Sequence, residues 1–128
     1  MSEFNKLYDI ANTAADNAYA PYSNFKVGAA LLCESGDVYS GCNIENSSYS
    51  LTCCAERVAI FKAVSQGQRK FKTFLITSDT EQPIAPCGSC RQVMNEFFDD
   101  GVLIILTNKK QVKKEVYIKD LLPYSFNL

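Results

Sequence analysis

Two short stretches of the sequence carry side chains that could bind a metal ion and move protons: Cys53-Cys54-Ala55-Glu56-Arg57 and Pro86-Cys87-Gly88-Ser89-Cys90. Three thiolates on a zinc ion leave a fourth position for water, whereas four thiolates form a closed structural site. Cys87 and Cys90 are three residues apart, so in a helix of about 3.6 residues per turn both sulfurs can reach one ion. Glu56 then lies close to the open position. The two stretches therefore predict a catalytic metal centre.

The third ligand is either Cys53 or Cys54. If both bound the ion, the site would be structural and chemically inert. Adjacent residues of a helix point about 100° apart, which favours one of the two cysteines rather than both. Arg57 and Arg91 adjoin the ligand stretches and could hydrogen-bond the sulfurs, and for Arg91 a surface salt bridge is the alternative. Without the cysteines, Glu56 would be interpreted as a carboxylate that stabilises a helix N-terminus.

The composition is that of a single globular domain spanning residues 1–128, with 47% apolar residues. The net charge of −1 predicts no binding of nucleic acid or of an anionic membrane. No apolar run approaches the roughly 18 residues of a membrane span, and the polar N-terminus does not resemble a signal peptide, so a cytoplasmic location is expected. In that compartment the six cysteines are metal ligands or buried side chains rather than disulfides. The absence of histidine excludes serine–histidine and cysteine–histidine catalysis.

Apolar periodicity and turn residues predict helices and strands in an alternating order. The predicted helices are residues 3–18, about 52–65 and 88–98, and the predicted strands are 26–32, 38–42, 71–77, 102–106 and 112–118. The first two strands flank a turn at residues 34–37 and are expected to form a hairpin. This order indicates an α/β fold with a mixed sheet covered by helices on both faces. Both cysteine stretches fall beyond the carboxyl ends of strands, where open α/β sheets bind ligands.

The spacing of Cys54-Ala55-Glu56 and Pro86-Cys87-Gly88-Ser89-Cys90 is the pattern of zinc-dependent nucleoside and nucleobase deaminases. A second motif, Gly41-Cys42-Asn43-Ile44-Glu45-Asn46, and matching segments at residues 19–25 and 121–123 make the chain similar to the cytidine deaminase family, in its small homotetrameric type. The resemblance implies a three-layer α/β/α sandwich with a mixed five-stranded sheet and one Zn²⁺ per subunit. It also implies that Cys54, Cys87 and Cys90 are the zinc ligands, and that Cys53 is a neighbour the family does not require.

The same resemblance implies roles for residues around the metal. Glu56 would carry protons between the zinc-activated water, the pyrimidine and the leaving amine, and Arg57 would hydrogen-bond the ligand sulfurs. The implied substrate-binding residues are Phe25, Asn43, Glu45, Ala55, Tyr49 and Phe126. Among these, Asn43 and Glu45 correspond to ribose-binding positions and Phe25 to the residue that packs against the base. Tyr49 and Phe126 correspond to positions that reach the site of a neighbouring subunit. By residue type alone, Phe25 is a core residue and residues 43–46 are a solvated loop.

The expected reaction is hydrolytic deamination of cytidine and deoxycytidine to uridine and deoxyuridine, with release of ammonia, in pyrimidine salvage. A related deaminase acting on a nucleoside antibiotic such as blasticidin S is the nearest alternative. A nucleic-acid-editing deaminase would need a basic groove, which the charge balance does not provide. A structural zinc module with Cys53, Cys54, Cys87 and Cys90 as a closed cage is the alternative from another class of protein, and it predicts that Cys53→Ala loses the metal.

Overall fold

The computed structural model describes residues 2–128 as a mixed five-stranded sheet with four α-helices. In chain order the elements are α1 (Glu3–Asp16), β1 (Val27–Cys33), β2 (Val38–Cys42), α2 (Ala55–Ser65), β3 (Phe71–Ser78), α3 (Gly88–Phe97), β4 (Leu103–Asn108), β5 (Lys113–Val116) and α4 (Ile118–Leu121). Within residues 2–128, no helix is both long enough and apolar enough to cross a membrane.

The strands are ordered β2-β1-β3-β4-β5. The β1–β2 hairpin is antiparallel, as predicted, and β1 and β4 each pair with β3, the first antiparallel and the second parallel. Val27 pairs with Ser78 and Ser78 pairs with Asn108, so the start of β1 and the carboxyl ends of β3 and β4 lie along one edge. The loop that follows β3 leads from this edge into α3.

Alternate residues of β1 divide the core into two layers, because successive side chains of a strand point to opposite faces. Ala29 and Leu31 pack in the larger cluster with residues of α2, α3 and α4. Ala30 packs on the opposite face, in the cluster that contains Leu7 and Ala11 of α1. Helices therefore cover both faces of the sheet, and the predicted three-layer α/β/α fold is confirmed.

Two glycines allow helices to lie unusually close to the sheet. A Cβ atom added to Gly28 would overlap the carbonyl oxygen of Ala11 in α1. A Cβ atom added to Gly41 would overlap the carbonyl oxygen of Ala55 and lie 2.6 Å from the Ala59 nitrogen, both in α2. The first turn of α2, which carries Glu56, therefore rests directly on the backbone of β2.

Several predicted boundaries differ from the structure: α1 ends at Asp16 rather than residue 18, and β4 ends at Asn108 rather than residue 106. Two further differences have a clear physical cause. The second helix begins at Ala55 rather than near residue 52, because the backbone of Cys53 pairs with Ile44 in an isolated bridge and is extended. The last strand ends at Val116 rather than residue 118, because the Tyr117 N–H donates to the Asp120 carboxylate, at 2.9 Å, at the start of α4. The bridge at Cys53 matters for the site, since it determines which cysteine faces the metal.

Candidate metal centre and substrate pocket

The sulfur atoms of Cys54, Cys87 and Cys90 lie within 4.8 Å of one another. The Cys54 and Cys87 sulfurs are 3.7 Å apart. A tetrahedral zinc ion with Zn–S bonds of about 2.3 Å places its sulfur ligands about 3.8 Å from one another. The three thiols therefore have both the chemistry and the spacing of a zinc site with one position left for a further ligand.

Two helix starts position these sulfurs. Cys54 is the N-cap of α2, Cys87 is the N-cap of α3, and Cys90 lies in the first turn of α3. Neither cap cysteine uses its side chain to bond the helix backbone, so both sulfurs remain available to a metal. The positive ends of two helix dipoles stabilise negative charge at this point. The two helix dipoles therefore favour the deprotonated form of the cysteines at this point.

Hydrogen bonds within the group favour ionisation of Cys54. A hydrogen bond from the Cys90 thiol lowers the pKa of Cys54 to about 5, although burial opposes this shift, and a bond from Arg57 adds to it. Cys90 is fully buried, and its own pKa is raised because it donates to Cys54. The Arg57 Nη2 atom lies 3.5 Å from the Cys54 sulfur. Arg57 thus lies against the sulfur of Cys54, one member of the three-cysteine group.

Cys53 does not belong to the sulfur group. Its N–H donates to the Ile44 carbonyl and its carbonyl accepts from the Ile44 N–H, both at 2.9 Å. Successive side chains of an extended segment point to opposite sides, so the bridge that fixes Cys53 directs it away from Cys54. Among the described residues the potential ligand group contains three cysteines rather than four, and no closed four-thiolate cage forms.

Glu56 is a buried carboxyl beside the sulfur group. Its exposed fraction is 4%, and it lies in the first turn of α2, the position that the helix-terminus interpretation also requires. Desolvation by burial raises the pKa of Glu56 to about 7, in spite of a hydrogen bond to a backbone N–H. A carboxyl with a pKa in this range can both accept and release a proton near neutral pH.

A cavity of about 200 Å³ opens next to Glu56. Of the predicted residues, its lining contains Phe25, Asn43, Cys54, Ala55, Glu56 and Cys87. The remaining lining residues are Val27, Thr52, Ile84 and Ala85, which belong to neither cysteine motif. Ile84 is the only large apolar side chain in the loop at residues 79–86. The cavity combines apolar side chains with the Glu56 carboxyl and two of the three grouped cysteines, Cys54 and Cys87, and small-molecule sites commonly have this mixture of apolar wall and a few polar groups.

Phe25 lies between the core and the cavity. Its ring is partly buried against the core and also faces the cavity. Asn43 is buried, and its side chain bonds the segment that carries Phe25: Oδ1 accepts from the Val27 N–H at 2.9 Å and Nδ2 donates to the Phe25 carbonyl at 2.7 Å. One hydrogen of the amide group remains available for a ligand, since an amide nitrogen carries two.

Glu45 lines a second pocket, of about 280 Å³, together with Tyr22, Ser23, Tyr49 and Thr52. Its carboxylate accepts from the N–H groups of Tyr22 and Ser23, at 2.9 and 3.2 Å, and from the Ser23 hydroxyl. The hydroxyl bond is the main cause that lowers the pKa of Glu45. Because Thr52 lines both pockets, the two are adjacent, and Glu45 lies on the side away from the sulfurs.

Tyr49 and Phe126 do not reach the cavity of their own chain. Tyr49 is 77% exposed and stacks edge-on against Tyr22 with ring centroids 6.2 Å apart. Phe126 is 68% exposed on the C-terminal segment, whose backbone is held to Asn95 of α3 by a bond of 3.5 Å. Both rings are directed outward, as residues that contact another molecule would be.

Comparison with known proteins places this arrangement among deaminases. Residues 1–106 match the sequence model of the cytidine and deoxycytidylate deaminase zinc-binding region. A cytidine deaminase of Sporosarcina psychrophila is 52% identical over 122 residues, which cover 95% of this chain and 90% of that protein. The crystal structure of a cytidine deaminase from Burkholderia pseudomallei superposes with a TM-score of 0.94 at 46% identity, covering 98% of this chain and 100% of that one. A blasticidin-S deaminase of Bacillus cereus is 34% identical over 108 residues, 78% of this chain and 76% of that protein.

Proposed function

The chain belongs to the cytidine and deoxycytidylate deaminase family, and we propose that it deaminates both cytidine and deoxycytidine in pyrimidine salvage, with Glu56 moving the protons. Cytidine deaminase activity and dependence on zinc are properties of the family to which it belongs. The observation that carries the proposal is the buried Glu56 carboxyl, which lines one cavity with Cys54 and Cys87, two members of the three-cysteine group. Residues 1–128 would act as a single catalytic domain.

Cys54, Cys87 and Cys90 would hold the zinc ion. Zinc in such a site acts as a Lewis acid and lowers the pKa of a water molecule to near neutrality. Glu56 would accept one proton of the water at its carboxylate oxygen and release it to N3 of the pyrimidine. It would then accept the remaining proton from the hydroxyl added at C4 and supply it to the leaving amine. Cytidine and water give uridine and ammonia, so the carboxyl is regenerated in each turnover and one residue serves both transfers.

The cavity suits an uncharged pyrimidine. Phe25, Val27 and Ile84 provide apolar surface for the ring. Ala55 is the first residue of α2 and lines the cavity, and N–H groups in a first helical turn have no partner within the helix. Its N–H would therefore donate to the polar edge of the base. Asn43 would use its second amide hydrogen, and Glu45 a lone pair, to bind the hydroxyls of the sugar.

The substrate would be a nucleoside rather than a nucleotide. Among the described residues, neither the cavity beside Glu56 nor the pocket beside Glu45 is lined by a lysine or an arginine. A phosphate group needs such a cation or several N–H donors to replace its water. The Tyr22 and Ser23 N–H groups are already bonded to the Glu45 carboxylate, which would repel a phosphate.

The enzyme would work as a homotetramer in the cytoplasm. Tyr49, with an exposed fraction of 77%, stacks against the exposed Tyr22, and both line the Glu45 pocket; exposed apolar surface of this kind commonly marks interfaces. Tyr49 and Phe126 would complete the site of a neighbouring subunit. All six cysteines of the chain are free thiols, and a reducing compartment keeps thiol ligands available.

A comparison of the parent enzyme with Glu56→Gln tests the proposed reaction. The change in ultraviolet absorbance on conversion of cytidine to uridine is followed with both proteins at equal zinc content. We expect turnover by the parent and a loss of about 10²- to 10⁴-fold in the variant. An equally active variant would exclude Glu56 as the proton carrier. The second candidate function is deamination of blasticidin S, and it is supported by the similarity to the Bacillus cereus blasticidin-S deaminase. Faster turnover of blasticidin S than of cytidine would favour it.

A further inference from the structure

Arg91 connects the end of the β3–α3 loop to the C-terminal part of the chain. It follows Cys90 on α3, and its side chain is partly buried. Its Nε atom donates to the Pro86 carbonyl at 2.8 Å, and its Nη1 atom donates to the Leu121 carbonyl at 2.8 Å. Residues 2–128 contain two salt bridges, one formed by Lys72 and one by Lys110, and Arg91 takes part in neither. Arg91 therefore binds backbone rather than an acidic side chain or a ligand sulfur.

The Pro86 carbonyl is in the peptide group that leads into Cys87. A peptide unit is planar, so a bond that holds this oxygen also fixes the nitrogen of Cys87 and the direction of its side chain. Pro86 is buried, whereas Cys87 is exposed. Cys90 is 0% exposed and is held by the core. Packing alone therefore fixes Cys87 less firmly than Cys90, although the two sulfurs belong to the same group.

We propose that Arg91 is a positioning residue that sets the affinity of the zinc site by holding the Pro86–Cys87 peptide in place. The bond to Leu121 prevents the guanidinium from turning away, because α4 packs in the same core as α3. The inference rests on the proposed zinc site. Partners that orient metal ligands from outside the coordination sphere typically change metal affinity by about 10- to 100-fold when removed.

Two substitutions separate the bonds of Arg91 from its bulk. Arg91→Met keeps an unbranched side chain but has no donor for either carbonyl. Arg91→Lys keeps the charge and can reach one carbonyl but not both, since a single ammonium replaces the planar fork of donors. Arg69→Met is a matched control. Arg69 also donates to two carbonyls, those of Val64 and Gln68, at 2.8 Å each, but it lies at the far end of α2 from the sulfurs.

The experiment measures zinc affinity by competition with a chromophoric chelator, under conditions where circular dichroism shows each variant to be folded. We expect affinity to fall about 10- to 100-fold in Arg91→Met, to take an intermediate value in Arg91→Lys, and to remain at the parent value in Arg69→Met. Cobalt-substituted protein provides a second measurement. The thiolate-to-cobalt absorption should weaken in Arg91→Met, because Cys87 leaves the coordination sphere more readily.

Parent-like zinc affinity and cobalt absorption in Arg91→Met would overturn the proposal while leaving the proposed function intact. An equal loss of affinity in Arg69→Met would also overturn it, because the effect would then be one of general stability. If Arg91→Met does not fold, the zinc affinity of the folded Arg91→Lys variant tests the proposal instead. A zinc affinity equal to that of the parent in Arg91→Lys would contradict it. A parent protein that binds no zinc would overturn the proposed function together with this inference.

Discussion

The side-chain amide of Asn43 donates a hydrogen bond of 2.7 Å to the carbonyl oxygen of Phe25. Asn43 and Phe25 are both predicted to contact the substrate, and this hydrogen bond joins them just before the start of β1. The same amide group accepts from the Val27 N–H. Asn43 consequently holds the segment that presents the Phe25 ring to the cavity, in addition to any contact it makes with the ribose.

The change Asn43→Asp tests this double role. The carboxylate could still accept from Val27, but its second oxygen would face the Phe25 carbonyl with no hydrogen between them. We expect the free energy of unfolding to fall by about 1 to 3 kcal/mol, and kcat/KM for cytidine to fall as well. Denaturant unfolding and steady-state kinetics measure the two effects. The control, Asn5→Asp, makes the same chemical change on the exposed surface of α1. A fully stable Asn43→Asp protein would contradict the structural role.

The Ser23 hydroxyl provides a prediction about pH. Its bond to Glu45 is the main cause that lowers the pKa of that carboxyl below 4.5. A lowered pKa contributes stability above pH 4.5, and this contribution is lost as the pH falls through the folded-state pKa. Ser23→Ala should therefore lose less stability than the parent between pH 7 and about pH 3, a range that extends below the unfolded-state pKa of the carboxyl. Denaturant midpoints at the two pH values, with the exposed Ser47→Ala as control, measure the difference. Equal losses in Ser23→Ala and the parent would show that the hydroxyl does not stabilise the carboxylate.

Gly41 allows the first turn of α2 to rest on β2. In Gly41→Ala the new methyl group would overlap the Ala55 carbonyl and approach the Ala59 nitrogen to 2.6 Å, so the helix must move. Overpacking of this kind typically costs about 1 to 3 kcal/mol. We expect a lower unfolding temperature and weaker zinc retention, because the helix start carries Cys54. Gly88→Ala is the control for stability, since no atom lies within 4 Å of its added Cβ. An unchanged unfolding temperature in Gly41→Ala would show that the contact relaxes at no cost.

The fold was predictable from the sequence because its elements are marked locally. The continuous apolar run at residues 102–106 predicts a buried strand, and Glu34-Ser35-Gly36-Asp37 predicts the hairpin turn, without any knowledge of distant contacts. The start of α2 was predicted too early because the competing contact, the bridge between Cys53 and Ile44, joins segments separated by a loop. Local helix propensity yields to such a contact.

The sequence predicts the part of the site in which the side chains of a motif are the metal-binding groups. The grouping of Cys54, Cys87 and Cys90 agrees with the predicted ligands. Ile84 and Ala85 were not predicted, because their place in the cavity depends on the path of the loop between β3 and α3. The bonds of Arg91 to two carbonyls were not predicted either, since backbone partners leave no pattern in the sequence.

Cys53 and Cys54 should differ sharply in their contribution to zinc binding. Cys54 belongs to the sulfur group and Cys53 does not, so Cys53→Ala should bind one zinc ion per chain and Cys54→Ala should bind little. Zinc content after gel filtration, measured by atomic absorption, provides the comparison. Because the two alanine variants differ by one position in the chain, each is the other's control. Loss of zinc from Cys53→Ala would restore the closed four-thiolate cage as the better interpretation.

The proposed sharing of sites between subunits predicts complementation between two impaired variants. In Phe126→Ala the cavity residues are intact but the ring offered to the neighbour is lost, whereas in Glu56→Gln the ring is intact and the proton carrier is lost. Mixed oligomers of the two contain some sites with both groups, so activity should rise above the average of the separate proteins.

Mixing Glu56→Gln with Asn43→Asp is the matched control for this complementation, because both of those residues line the same cavity of one chain. No mixed site can then be complete, and activity should equal the weighted average of the two variants. The measurement is cytidine turnover after partial denaturation and joint refolding of each pair, with gel filtration to show assembly. Absence of any gain in the first mixture, despite demonstrated mixed oligomers, would mean that Phe126 does not act in the site of a neighbouring subunit. A gain in the control mixture would mean that refolding itself raises the activity.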